Sequence, residues 1–314
     1  RATIEQIARL HDAGCEIIRL AVPDQAAADA LPEIVHASPI PVVADIHFDY
    51  RLALAAAKAG VHKIRINPGN IGEPDNVRKV AEACRERGIP IRIGVNGGSL
   101  EKRLREKYGH PTPEALVESA QGHIDLLHRY DFDDIALSMK SSTVPLTIAA
   151  YRLAAERFPY PLHVGVTETG TAYNGIIRSA VGIGTLLSEG IGDTMRVSLT
   201  ADPVEEVYAA KRILQACGIR RSGVNLVSCP TCGRTAYDMI PIAEELERRL
   251  ADCKKNITVA VMGCVVNGPG EASAADIGVA GGKGEGMIFR KGKILYKVPQ
   301  EKLVDALMEE IKKL

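Results

Sequence analysis

Short apolar runs that end in polar residues alternate with longer amphipathic stretches rich in Ala, Glu and Arg, from Ala2 to about Cys217. That rhythm predicts βα repeats. The strands fall at Glu16 to Val22, Pro41 to His47, Lys63 to Asn67, Ile91 to Asn96, Asp134 to Lys140, Leu162 to Glu168 and Thr194 to Leu199. Helices fill the intervals, many stopped by Gly or Pro, as at Gly14, Gly60, Gly88 and Gly190. The chain opens on a helix, Thr3 to Ala13, whereas a (β/α)8 barrel places a strand before its first helix. Residues 1–218 therefore predict an α/β fold, a TIM-type (β/α)8 barrel lacking its first strand in this chain. An open doubly wound sheet is the other fold of this rhythm, but units of roughly 25 to 30 residues without a GxGxxG turn favour the barrel.

After Gly218 the pattern changes, and residues 222–314 predict a small C-terminal α/β domain. Its elements are a strand from Val224 to Val227, a helix from Tyr237 to Ala251 and a strand from Ile257 to Met262. Gly-rich loops, short strands near Met287 to Phe289 and Ile294 to Lys297, and a final helix from Pro299 complete it.

With 314 residues, 46% hydrophobic and 25% charged, the composition is that of a globular protein. The formal net charge is zero, so no global field draws the chain to nucleic acid or an anionic membrane, and anion recognition has to be local. No apolar run approaches the ~18 residues of a membrane span. Seven cysteines, an odd number, argue against a secreted disulfide framework and for reduced thiols or metal ligation, hence a cytoplasmic protein.

That neutrality makes the placement of each cation informative. Barrel strands are usually near-continuously apolar, yet these carry Arg19, Arg65, Arg92, Lys140 and Arg196. Cations are rarely buried unpaired, and converging like charges repel unless an anion neutralises them. A strand-borne acid such as Asp45 or Glu168 accounts for a single Arg, but the strands offer too few acids for the set. A phosphorylated substrate at the C-terminal mouth accounts for all of them. Asp45, His47, Asn67, Asn96, His163, Glu168 and Ser198 occupy comparable positions and are candidates to orient or protonate it.

In the second domain Cys229-Pro230-Thr231-Cys232 follows one strand and Cys264 ends the next, which brings three thiols to neighbouring strand ends. All eight histidines lie at or before His163, so a Cys/His zinc finger is excluded there. Cys253 or Glu271, the latter across a Gly-Pro-Gly turn, would be the fourth ligand. A CxxC with one later Cys suits either an iron-sulfur cluster or a structural zinc. Cys15, Cys84 and Cys217 read as small core hydrophobes.

Ala44-Asp45-Ile46-His47-Phe48, Arg65-Ile66-Asn67-Pro68-Gly69-Asn70, Arg92-Ile93-Gly94-Val95-Asn96 and Arg196-Val197-Ser198-Leu199, with the CPTCGR and GCVVNGPGEA segments, carry a family resemblance. In order and over essentially the whole chain, they resemble the hydroxymethylbutenyl diphosphate synthases of the methylerythritol phosphate isoprenoid pathway, in their two-domain bacterial form. The resemblance implies a 4Fe-4S cluster held by Cys229, Cys232, Cys264 and Glu271 in a domain similar to those of nitrite and sulfite reductases. It implies reductive ring opening of a cyclic diphosphate, with flavodoxin or ferredoxin as electron donor, and a homodimer. On matching positions Arg19, Arg65, Arg92, Lys140, Arg196 and Ser198 would hold the diphosphate, with Asn96 and Glu168 near the reacting carbons. Glu168 would give the departing hydroxyl its proton, and Glu271 would be a displaceable ligand to the iron. Thr169 departs from the family pattern, which has Ala after the glutamate. The competing reading is a phosphate-handling barrel lyase with a structural zinc site, whose activity needs no reductant.

Overall fold

Each of the seven apolar runs of the first 217 residues becomes a strand, six of them shorter than the run and one, Ile91–Asn96, over the same residues. In the computed structural model β1 (Ile18–Ala21), β2 (Val42–Asp45), β3 (Lys63–Ile66), β4 (Ile91–Asn96) and β5 (Ile135–Lys140) form a parallel sheet in chain order. β6 (His163–Val164) and β7 (Thr194–Met195) pair in parallel, and a bridge from Leu137 to Leu162 links β5 to the start of β6. The structure describes residues 1–220, 223–251, 253–264, 272–282 and 284–314.

The helices of this unit are α1 (Ala2–Ala13), α2 (Gln25–Ala37), α3 (Tyr50–Lys58), α4 (Pro74–Arg87), α5 (Lys102–Tyr108), α6 (Pro113–His128), α7 (Val144–Arg157), α8 (Ala172–Ser188) and α9 (Pro203–Ala216). Several start on sequence-coded caps. Asp24 accepts from the Ala27 amide at 2.8 Å and Thr112 from the Ala115 amide at 3.1 Å, and Pro occupies the first turn of α4, α6, α7 and α9. The last helix returns to the first: Arg9 pairs with Asp202 at 2.8 Å and Lys211 Nζ donates to the Ala13 carbonyl at 3.2 Å. The barrel closes its helical layer there.

Strand side chains alternate between two faces. Val42, Ala44, Ile64, Ile66, Ile91 and Ile93 are completely buried in the core under the helices. Each such Val or Ile contributes about 1.5–3 kcal/mol through burial. The other parity is left for the barrel interior.

Residues Gly218–Leu314 form a second unit. Its strands β8 (Asn225–Ser228), β9 (Thr258–Met262), β10 (Ile277–Gly281), β11 (Glu285–Arg290) and β12 (Lys293–Pro299) are ordered β12-β11-β10-β9-β8. β8, β9 and β10 run parallel, and β11 and β12 form an antiparallel hairpin on β10. The helices α10 (Ile240–Leu250) and α11 (Leu303–Lys312) pack their apolar faces on this sheet.

The Gly-rich segment read as loop contains the central strand β10, a correction to the sequence reading. Its glycines disguise it. A Cβ on Gly278 would lie 2.5 Å from the Phe289 ring, and one on Gly281 would overlap the Tyr237 ring, so glycine is there for close packing. No described helix is long and apolar enough to cross a membrane.

Candidate active site

Register places the charged residues on one face. Arg19 stands beside Val43, with Asp45 two residues on, and Asp45 stands beside Arg65, Arg65 beside Arg92 and Asn96 beside Lys140. Partnered positions of parallel strands share a face, so these side chains occupy the parity opposite to the Val and Ile packed under the helices. A barrel interior normally filled by branched aliphatics is filled here by cations.

Asp45, Arg65 and Arg92 are 3%, 5% and 6% exposed. The Asp45 carboxylate accepts from Arg65 Nη1 at 2.9 Å and from Arg19 Nη1, and His47 Nε2 lies 3.7 Å from it. Burial pushes this carboxyl up, but the charges of Arg65 and Arg19 more than offset it and hold it below its ordinary range. Arg65 Nη2 also reaches the Gly94 carbonyl at 3.4 Å. A Cβ on Gly94 would lie 2.4 Å from that guanidinium, so the glycine in β4 makes the passage through which Arg65 crosses.

Asp45 neutralises only part of the set. Among the described residues, Nε of Arg65 and Nε of Arg92 are buried without a hydrogen-bond partner. Burial, then Arg19 and Arg65, lower Arg92 to about 10. Burial, then Arg65, Arg196 and Arg19, lower Lys140 to about 8. Burial lowers Arg196 as well, and its Nη1 donates to the Val166 carbonyl at 3.3 Å. His163, whose Nδ1 is 2.8 Å from Thr194 Oγ1, is held well below the ordinary histidine range by burial and by Arg92. It is a neutral imidazole. The interior thus carries a strong, incompletely compensated positive potential, which suits a polyanion and raises the cost of leaving the site empty.

The remaining barrel candidates lie beyond the strand ends. Asn96 ends β4 and turns its side chain back to accept from the Gly98 amide at 3.1 Å, the same turn that Asn67 makes with Gly69 at 3.1 Å after β3. Glu168 follows β6 on an exposed turn with φ 55, a left-handed conformation uncommon outside glycine. Ser198 follows β7, and its carbonyl accepts from the buried Thr169 hydroxyl.

In the second unit Cys229 follows β8 and Cys264 follows β9, neighbouring parallel strands, while Cys232 is exposed in the loop from β8 to α10. The Cys229 amide donates to the Val261 carbonyl at 3.2 Å, and Cys229 Sγ accepts from the Gly263 amide at 3.0 Å. Among the described residues no group of three or more His, Cys, Asp and Glu stands close enough to hold a metal ion. Glu271, the expected fourth ligand, lies outside the described residues. The strand ends bring Cys229 and Cys264 to one edge of the sheet, and the described thiols are all free.

One residue escaped the sequence reading, and another was named there only as a departure from the family pattern. The hydroxyl of Tyr151, on α7, accepts from the Met139 amide at 3.0 Å and donates to the His163 carbonyl at 2.6 Å, so it ties β5 to β6. Thr169 joins the turn after β6 to that after β7. A buried Tyr in an apolar helix and a Thr beside Glu168 were the only available signals.

Residues 1–211 match the family model described as the GcpE TIM-barrel domain, and residues 225–313 match that of the GcpE protein C-terminal domain. The chain is 59% identical over 313 residues to 4-hydroxy-3-methylbut-2-en-1-yl diphosphate synthase (flavodoxin) of Geobacter sulfurreducens, covering 100% of this chain and 89% of that one. The protein of the same name from Clostridium perfringens is 61% identical over 310 residues, covering 99% and 89%. That of Clostridium acetobutylicum is 60% identical over 311 residues, covering 99% and 89%.

Proposed function

The chain belongs to the GcpE family, and on that premise we infer that it converts 2-C-methyl-D-erythritol 2,4-cyclodiphosphate to 4-hydroxy-3-methylbut-2-enyl diphosphate in isoprenoid biosynthesis. The protein is an oxidoreductase: two electrons enter, the ring C–O bond breaks and a hydroxyl leaves as water. One observation carries the reading at the level of residues, namely that Asp45 is the sole acid bonded to the interior arginines and buried guanidinium nitrogens remain without a partner among the described residues. A cyclic diphosphate supplies the charge and acceptor oxygens those groups lack.

Arg19, Arg65, Arg92, Lys140, Arg196 and Ser198 hold the diphosphate in this reading. They also stabilise the oxygen on which charge develops as the ring opens, an effect typically worth about 3–4 kcal/mol for one well-placed donor. Asn96 orients the carbon skeleton, and Glu168 delivers the proton to the departing hydroxyl.

The donor set of the second unit fits a 4Fe-4S cluster. Its three free thiols are soft ligands, and the Gly263 amide already donates to Cys229 Sγ, the kind of hydrogen bond that tunes cluster sulfurs. Cys229, Cys232 and Cys264 would hold it with Glu271, a harder and more readily displaced donor. A cluster bound there supplies electrons one at a time. Flavodoxin, printed in the relatives' names, or ferredoxin is the donor, and the working assembly is a homodimer.

Anaerobic protein with reduced flavodoxin or dithionite is expected to consume the cyclodiphosphate only while reductant is present. Consumption without any reductant would instead establish a lyase with a structural zinc site.

A further inference from the structure

We propose that His123 is a positioning residue for the reaction: paired with Glu101, it pins the turn after β4 and so holds Asn96 where its side chain meets the substrate. The inference rests on the role given to Asn96 above.

Asn96 ends β4, and the chain then runs through Gly97 and Gly98 in a short 3-10 turn to Leu100 and Glu101. Two successive glycines give that turn little stiffness of its own. The Asn96 side-chain oxygen accepts from the Gly98 amide, so the amide nitrogen left to meet the substrate moves with the turn. A cavity of about 380 Å3, lined by Gly98, Ser99 and Leu100 of this turn and by Asn67, Gly69 and Asn70 of the turn after β3, gives both room to shift. The turn has to be fixed from outside.

Glu101 does this. It stands at the N-cap of α5, yet its side chain makes no capping hydrogen bond. The carboxylate reaches α6 instead: Oε1 lies 3.1 Å from His123 Nε2 and accepts from Ser119 Oγ at 3.0 Å. Ser119 and His123 are four residues apart on the buried face of α6, among Leu116, Ala120, Ile124 and Leu127. Burial pushes the Glu101 carboxyl up, but hydrogen bonding, that of His123 foremost, more than offsets it and lowers the group to about 2.

Stability is a poor reason for polar groups on this face, because a buried pair is often no more stable than apolar residues in its place. This one is also incomplete, since Glu101 Oε2 is buried without a hydrogen-bond partner among the described residues. What the pair adds is a fixed geometry, set by the direction of donor and acceptor. The same imidazole underlies the neighbouring turn. A Cβ on Gly69 would lie 3.2 Å from His123 Cε1, so the ring sets the spacing of the turns after β3 and β4.

His123→Leu fills the space without a donor, and His123→Gln keeps an N–H near the place of Nε2. Under anaerobic reductive assay, His123→Leu is expected to lower kcat about tenfold with KM nearly unchanged, because the cations that hold the diphosphate are untouched, whereas His123→Gln stays within about threefold of wild type. In Asn96→Ala, itself expected to be slow, adding His123→Leu should cost less than about twofold more, since it acts through Asn96. Amide exchange of residues 96–101 in substrate-free protein supplies a further readout: faster in His123→Leu, near wild type in His123→Gln. Should the leucine variant not fold, Glu101→Ala takes its place in each measurement, with Glu101→Gln as its conservative partner.

Wild-type kcat in His123→Leu, equal losses in the leucine and glutamine variants, a rise in KM alone or wild-type exchange in His123→Leu would each overturn the proposal. So would an undiminished loss on top of Asn96→Ala, which would show a structural role only. Full turnover by Asn96→Ala would instead overturn the role given to Asn96, and this proposal with it. Failure of the wild-type protein to turn over the cyclodiphosphate would sink the proposed function, while the exchange comparison would still decide whether His123 holds the turn.

Discussion

Arg65 donates to Asp45 across 2.9 Å with both side chains almost wholly buried inside the barrel. This pair is what permits several cations to share one interior. Replacing Asp45 by Asn keeps the shape and removes the charge, leaving buried guanidinium uncompensated. Loss of one partner of a buried pair typically costs about 3–5 kcal/mol. Urea denaturation of Asp45→Asn is expected to show a loss of that order, partly recovered by added pyrophosphate. Wild-type stability in the variant would show that the cations are screened by other means.

Lys140 gives the pocket a pH dependence. Its pKa in the folded chain is about 8, against an ordinary 10.5. Between those values the unfolded chain binds more protons than the folded one, so stability rises with pH across that window. Anion binding works in the opposite sense, because a bound diphosphate raises the lysine again and the complex takes up a proton. Pyrophosphate affinity is therefore expected to be highest below pH 8 and to fall above it. Calorimetry in buffers of differing ionisation enthalpy reads the proton uptake directly, and Lys140→Met should abolish it.

Gly94→Ala places a methyl group 2.4 Å from the Arg65 guanidinium. Overpacking of this kind costs about 1–3 kcal/mol. Displacement of Arg65 should also weaken pyrophosphate binding by about tenfold, the equivalent of ~1.4 kcal/mol. Unchanged affinity would mean that Arg65 does not contact the anion.

Tyr151→Phe removes a buried hydroxyl and strands both the Met139 amide and the His163 carbonyl. Stranded buried groups cost about 1–3 kcal/mol. The loss is expected in the unfolding free energy, with iron content untouched, since the residue belongs to the barrel unit.

Iron and sulfide in equal amounts are expected in anaerobically purified protein, and Cys264→Ser should lose both. Stoichiometric zinc without sulfide would exclude the cluster.

Much of this molecule was legible in its sequence because the information is local. The period-two alternation that buries Val42, Ala44, Ile64 and Ile66 under helices also marks Arg19, Arg65 and Arg92 as residues of the opposite face. Spacing alone placed Cys229 and Cys232 in the turn after a strand. What needed the tertiary structure depends on neighbours far away in the chain. Asp45 could have served any strand arginine, and only the register of β2 between β1 and β3 assigns it to Arg19 and Arg65, leaving Arg92, Lys140 and Arg196 without a hydrogen-bonded carboxylate among the described residues. β10 looked like loop because its glycines are explained by the Phe289 and Tyr237 rings packed against them. The Thr169 hydroxyl reaches the carbonyl of Ser198, 29 positions further on, and strands so short at β6 and β7 give the sequence no periodicity by which to announce it.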